Sequence, residues 1–255
     1  HFIRMERNNE AYIAHNVPLF SSTTFNNANS GIEYLKTIDS LVVKHMFSCM
    51  EAWTGIAMQA KYGIFNEKGE QIFLALEESS CCQRVWCTNT RAFVLHIFDN
   101  NNQELIQIRR EFTCCSGCCW CGSCPSCMQE VVVESPPGNV IGIIKQEGSS
   151  WRMNYVIKDA REQPILNIIG PCCICDGPYS CCCENKFTLF GSDRTTEIGA
   201  IYKKYSGFCK EAFTSSDVFS MHVPINMDVK AKMLVLGALF LIDFMNFSLT
   251  PQQQS

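Results

Sequence analysis

From Met233 to Ile242 the chain runs ten residues without a polar side chain (Met-Leu-Val-Leu-Gly-Ala-Leu-Phe-Leu-Ile). As a helix this run is apolar on every face, so lipid or the rest of the chain must enclose it on all sides. Carried through Asp243 to Phe247 it is 15 residues long, against the ~20 that cross a bilayer. It is short, carries Asp243, and is followed by eight residues, 248–255, without a basic anchor. A hydrophobic helix over 229–247 that fills a core is therefore favoured, and a single membrane span is the alternative.

The chain ahead of that run can supply the enclosure. Tyr62–Phe65 and Gln71–Leu76 flank Asn66-Glu67-Lys68-Gly69, and Ala92–Phe98 and Glu104–Arg109 flank Asp99-Asn100-Asn101-Asn102. Glu130–Glu134 and Val140–Lys145 flank Ser135-Pro136-Pro137-Gly138-Asn139. Met153–Ile157 pairs in the same way with Pro164–Ile168, and Lys186–Phe190 with Glu197–Tyr202. Apolar β runs on either side of polar turns read as hairpins. Five of them predict an antiparallel sheet, and closing that sheet into a barrel removes both exposed edges. Ahead of them, Ser30-Gly31-Ile32-Glu33 has the form of a capping box, and Tyr34, Leu35, Ile38, Leu41 and Val42 follow at helical spacing. A short amphipathic helix is expected to open the domain there. Residues 1–30, rich in Asn and Ser, read as a loosely ordered lead-in, 31–247 as the domain and 248–255 as a tail.

The charge balance, 21 Lys and Arg against 25 Asp and Glu, leaves no global basic field, so nucleic acid is not an expected partner. Lys203-Lys204 is too short a basic stretch for nuclear import and reads as a solvated strand end. The five histidines form no metal-ligand pair, and His96 reads as a strand residue. No Ser/His/Asp order, phosphate-cradling glycine loop or carboxylate pair supports covalent catalysis.

Cysteine is the unusual component, at 18 residues. Seven lie between Cys114 and Cys127, with further groups at 81–87, 172–175 and 181–183, all between hairpins. Adjacent cysteines do not easily bridge each other and no secretory leader is seen, so reduced, cytosolic thiols are expected. Cys115 and Cys118, Cys121 and Cys124, and Cys172 and Cys175 have zinc-ligand spacing, but so many overlapping choices fit that the spacing is weakly specific.

With these pieces placed, the chain resembles the animal phospholipid scramblase family over residues 31–247. The resemblance rests on Gly31-Ile32-Glu33-Tyr34-Leu35, Glu111 to Glu130, Ser135-Pro136-Pro137-Gly138, Ile169-Gly170-Pro171-Cys172, Lys210-Glu211-Ala212-Phe213-Thr214 and Phe240-Leu241-Ile242-Asp243-Phe244-Met245. It implies a mainly β fold, a closed twelve-stranded antiparallel tubby-like barrel around a hydrophobic C-terminal helix. Met233, Leu236, Leu239, Phe240 and Asp243 belong to that helix, whether it is core or membrane span. The implied activity is ATP-independent, calcium-responsive, bidirectional movement of phospholipids between leaflets, at the cytoplasmic face of the plasma membrane. An S-acylated anchoring or adaptor protein that does not itself scramble is the alternative, although the family's proline-rich partner motifs are absent from this sequence.

Two sites come with the resemblance. The family's cysteine-rich run is S-acylated, which makes Cys114, Cys115, Cys118, Cys119, Cys121, Cys124 and Cys127 the candidate acceptors of palmitoyl chains. Each buried CH₂ contributes about 0.8 kcal/mol, and two chains give stable anchoring. Zinc binding and chemically idle thiols are the other readings of these cysteines. Residues 215–226 stand where the family has an acidic calcium loop, with Ser215, Asp217, Phe219 and Asn226 at ligand positions. Only Asp217 keeps a carboxylate, so Ca²⁺ should bind weakly, and an exposed turn leading into a buried strand is the plainer reading. Asp243 is the one ionisable group expected at depth.

Overall fold

The computed structural model describes residues 31–46, 59–113, 119–149, 151–172, 174, 185–204 and 218–247. The expected lead-in, 1–30, and tail, 248–255, lie outside them. Twelve strands form one closed antiparallel barrel: β1 (Ser40–His45), β2 (Lys61–Phe65), β3 (Gln71–Glu78), β4 (Phe93–Asp99), β5 (Glu104–Arg110), β6 (Glu130–Glu134), β7 (Val140–Glu147), β8 (Asn154–Asp159), β9 (Pro164–Ile169), β10 (Asn185–Gly191), β11 (Glu197–Lys204) and β12 (Val218–His222). Each strand pairs with its sequence neighbours, and β1 pairs with β12 to shut the barrel, Leu41 opposite Met221 and Val43 opposite Phe219.

The five predicted hairpins are all present, with strand ends within two residues of expectation. Their turns share one construction. Gly69, Asn102, Gly138, Glu162 and Arg194, each the fourth residue of its turn, have positive φ between 58° and 89°. A bulge or register shift accompanies every one of these turns. In three of them the first side chain closes the loop: Asn66, Asp99 and Asp159 accept through Oδ1 from the backbone N–H of Glu70, Gln103 and Gln163, each at 2.9 Å. Asn and Asp bond the backbone of their own turn, which is why these positions were legible.

The helix expected to run through Val42 is corrected by the structure. Helix α1 (Gly31–Leu35) stops after five residues, and β1 begins at Ser40. Leu41 and Val43, two apart, are both buried, while β-branched Val42 faces outward between them. That alternation suits a strand, and pairing on both sides with β2 and β12 outweighs the weak helical spacing.

Strand direction alternates, so the five hairpin turns share one end of the barrel, the turn pole. The six remaining connections, between β1 and β2, β3 and β4, and onward to β11 and β12, join strands at the opposite end.

Helix α2 (Cys81–Trp86) lies in the second of these connections, and α3 (Val229–Asn246) fills the barrel. Asp228 caps α3 by accepting from Lys230 N–H at 3.0 Å, and every residue from Lys232 to Met245 is buried. A Cβ on Gly237 would come within 2.7 Å of Val133, so only glycine lets the sheet approach this closely. The span alternative for the C-terminal run is thereby overturned, since its faces are already covered by strands. No helix among the described residues is long and apolar enough to cross a membrane.

Asp243 is not the one ionisable group at depth. Lys232 is fully enclosed near the turn pole, its ammonium donating to the carbonyls of Leu35 (3.0 Å), Ile38 (2.6 Å) and Ile225 (2.8 Å). Burial lowers its pKa from the usual lysine value. Toward the other end, Tyr62 O–H donates to Asp243 Oδ2 at 2.6 Å, and burial, reinforced by that carboxylate, pushes the Tyr62 pKa well up. Glu77 and Arg91 form a buried fork, with Nε–Oε1 at 2.8 Å and Nη2–Oε2 at 3.2 Å. Burial alone would raise the Glu77 pKa, but the charge and hydrogen bonds of Arg91 outweigh it and hold the carboxyl low. Arg91 also lies 4.7 Å over the ring of Phe244 on α3. Arg110 is buried beside Phe93 and donates to Asn89 C=O and to Gln129 Oε1. Lys203, expected at a solvated strand end, is buried too, its ammonium 3.8 Å from the Phe247 ring centroid. Cation–π contact and burial of the aliphatic stem explain its inward turn.

Two outcomes are expected. Leu236→Asp or Leu239→Asp puts a carboxylate among fully enclosed side chains, costs more than ~4 kcal/mol and leaves the protein insoluble with no membrane present. A soluble variant with a cooperative melt would contradict the packing. Glu77→Gln strips Arg91 of its countercharge and should cost about 3 kcal/mol in urea unfolding. Glu33→Gln, whose partner Lys36 is exposed, should cost less than ~1 kcal/mol.

Candidate functional site

The six connections opposite the turn pole hold, by sequence position, every cysteine of the chain. Cys49 falls between β1 and β2, Cys81, Cys82 and Cys87 between β3 and β4, and the run Cys114–Cys127 between β5 and β6. Six more fall between β9 and β10, and Cys209 between β11 and β12. None of those among the described residues lies in a strand. An up-and-down barrel sends alternate connections to one end, so clusters far apart in sequence converge on this cysteine pole.

Of the candidate acyl acceptors, Cys119, Cys124 and Cys127 are placed there, Cys124 exposed and the other two half-buried. Cys114, Cys115 and Cys118 lie outside the described residues, as does the side chain of Cys121. The loop is riveted to the barrel mouth by Gln129, whose side-chain N–H₂ donates to Cys127 C=O (2.9 Å) and Thr113 Oγ1 (2.7 Å), while its Oε1 accepts from Arg110. Ser149 N–H donates to Cys119 C=O at 3.3 Å and ties the next connection to the loop. Backbone bonding from Ser126 and then the Cys127 side chain lower the Cys124 thiol pKa. A larger thiolate fraction on an exposed side chain is what a thioester-forming nucleophile needs.

Sequence reasoning confined acylation to 114–127 and missed three further exposed thiols, Cys81 and Cys82 on α2 and Cys172, the last 3.2 Å from Arg152 Nε. Their grouping was legible, but without the barrel their convergence was not. It also gave no role to Trp86, Trp120 and Trp151, which are exposed on three connections of this pole. For Trp86 and Trp120 the available signal was their place within cysteine clusters, while Trp151 stands on a connection without cysteine.

The calcium positions come out differently. Phe219 is buried in β12, paired with Val43 on one side and Lys203 on the other, and its ring meets Phe247 edge-on at 5.6 Å. Asn226 is exposed in the turn beyond the other end of that strand. The extended strand Val218–His222 separates the two, and the structure does not bring them together. Ser215 and Asp217 lie outside the described residues. No three His, Cys, Asp or Glu side chains among the described residues group as a metal site. His96 is a strand residue as expected, held between Glu104 (2.7 Å) and Glu78 (3.2 Å). Burial alone would lower its pKa, but these carboxylates raise it.

Comparisons with known proteins give the family of the chain. The family profile described as Scramblase matches residues 20–249. The chain is 37% identical over 228 residues to phospholipid scramblase 1 of Mus musculus, covering 89% of this chain and 67% of that protein. It is 37% identical over 224 residues to phospholipid scramblase 2 of Bos taurus, covering 88% and 73%. Phospholipid scramblase family member 5 of Homo sapiens is 35% identical over 217 residues, 85% and 77%. The chain thus spans about two thirds to three quarters of the length of these relatives. No solved structure matches it. By the profile match and by this identity over most of its length, the chain belongs to the scramblase family.

Proposed function

We propose that this protein moves phospholipids in both directions between membrane leaflets without ATP, held at the cytoplasmic face of the plasma membrane by acyl chains on its cysteine pole. The family assignment supports the activity, and the observation that carries the placement is the convergence of free, exposed thiols on one end of the barrel. The acceptors include Cys119, Cys124 and Cys127 with the rest of the 114–127 run, and Cys81, Cys82 and Cys172 extend the set.

Carrying a polar headgroup through hydrocarbon costs several kcal/mol for each unsatisfied group, so a scrambling protein must give the headgroup polar company or thin the bilayer. The interior cannot serve as that path, because α3 fills it with Leu, Phe, Ile and Met side chains. On this reading lipid passes along the outside of the barrel, and the reaction makes no covalent bond. Ca²⁺ should bind weakly, because Asp217 is the sole carboxylate of 215–226 and one carboxylate holds Ca²⁺ poorly.

Replacing Cys81, Cys82 and Cys172 together with Cys114, Cys115, Cys118, Cys119, Cys121, Cys124 and Cys127 by Ala should move the protein from membrane to soluble fractions and abolish alkyne-palmitate labelling. Retention with labelling intact would remove the anchor assignment. Purified acylated protein in vesicles with fluorescent lipid should raise the dithionite-accessible signal from the outer-leaflet share to nearly all. An unchanged share would overturn the scrambling reading and leave an anchored protein.

A further inference from the structure

Three of the chain's four tryptophans stand in water at the cysteine pole: Trp86 is 84% exposed, Trp120 65% and Trp151 79%. They sit on separate connections, between β3 and β4, β5 and β6, and β7 and β8. Because strands pair in sequence order, these connections follow one another around the rim, and the indoles share one arc. Phe112, 52% exposed, belongs to the middle connection.

Charge is thin across the arc. From 111 to 129 the one charged residue is Glu111. Beside the outer tryptophans stand Arg84 and Arg152, one on either flank. The turn pole is built differently: among the described residues its exposed large apolar side chains are the single aliphatics Val140 and Ile225, set among turns carrying Glu67, Lys68, Arg161, Glu162 and Asp193.

We propose that Trp86, Trp120 and Trp151 form an aromatic docking face that seats the cysteine pole in the headgroup–acyl boundary of a lipid bilayer, so the barrel stands end-on on the membrane. An indole has an apolar body and one N–H donor, and that combination places tryptophan at membrane interfaces. On one flank the exposed Arg152 would meet lipid phosphates, while Arg84 on the other is held by Ser79. The bilayer is the occupant because the same arc carries the exposed thiols of Cys81, Cys82 and Cys124, with that of Cys172 on the next connection around the rim, and acyl chains attached to them enter the same surface. The inference rests on the membrane reading above and adds which face meets lipid, through which side chains, before any acylation. It also fits the enclosed α3, which leaves the rim as the part of the molecule to engage the bilayer.

The test uses the full chain, purified without acyl groups, and vesicles of phosphatidylcholine with a minority of phosphatidylserine, some carrying bromine at shallow or deep chain positions. Wild-type tryptophan emission should shift to the blue and be quenched most by shallow bromine. Trp86→Ser, Trp120→Ser and Trp151→Ser combined should lower vesicle partition by roughly tenfold or more, the equivalent of losing one large buried apolar side chain. Its melting temperature should match wild type, since these side chains touch water. Ile225→Ser at the turn pole should bind as wild type does. Wild-type partition by the triple variant, or lost partition on Ile225→Ser, would overturn the proposal. So would a lipid-free dimer that the triple substitution dissociates, because the face would then join two copies of the chain. Lipid translocation is read separately by the dithionite assay, so a failure to scramble with docking intact counts against the function and not against the face.

Discussion

A helix with no polar face has to be surrounded, and the rest of this fold is the surround. Phe93 stacks on Phe244 at 4.1 Å, Tyr62 meets Phe240 edge-on at 5.1 Å, and Val133 and Ile144 close over Gly237. The helix is also pinned along its axis. Lys232 is held by three carbonyls near the turn pole, and Asp243 by Tyr62 near the cysteine pole. A one-turn slide would leave a buried ammonium and a buried carboxylate without partners, each at the full cost of a desolvated charge. Apolar burial supplies the driving force and the polar pins fix the register.

The barrel's connectivity then separates two kinds of chemistry. Tight turns closed by Asn66, Asp99 and Asp159 collect at one end, where charged side chains face water. Long connections collect at the other, with the thiols and the exposed indoles. Beneath that rim, Arg91 and Arg110 sit on Phe244 and Phe93 near the C-terminal end of α3, where a helix dipole favours cations. Because α3 occupies the interior, the lipid chemistry proposed for this protein belongs to the rim and the outer wall.

Much of this was legible in the sequence where the cause is local. Ten strands announced themselves through turn chemistry, and the apolar run announced its need for enclosure. The two strands that close the barrel did not. Leu41 and Val42 fit helical spacing, and what makes Ser40–His45 a strand is β12, at the far end of the chain. For residues 215–226 family position suggested a weak cation loop and the plainer reading a turn leading into a buried strand; Phe219 and Met221 are buried in β12. Lys203 was read at a solvated strand end and Lys232 was not counted among the groups at depth, because their partners, the Phe247 ring and the carbonyls of Leu35 and Ile38, arrive only with the fold. Cysteine grouping was visible, but its convergence on one pole is a property of topology.

The central claim is that barrel and helix are one cooperative unit, and residues 31–228, lacking α3, test it most directly. Without the helix the inward faces of the strands lose their shared packing partner, and the account predicts insoluble protein or a broad, non-cooperative thermal transition. A soluble β domain with a sharp, reversible melt would contradict it and return the C-terminal run to the membrane.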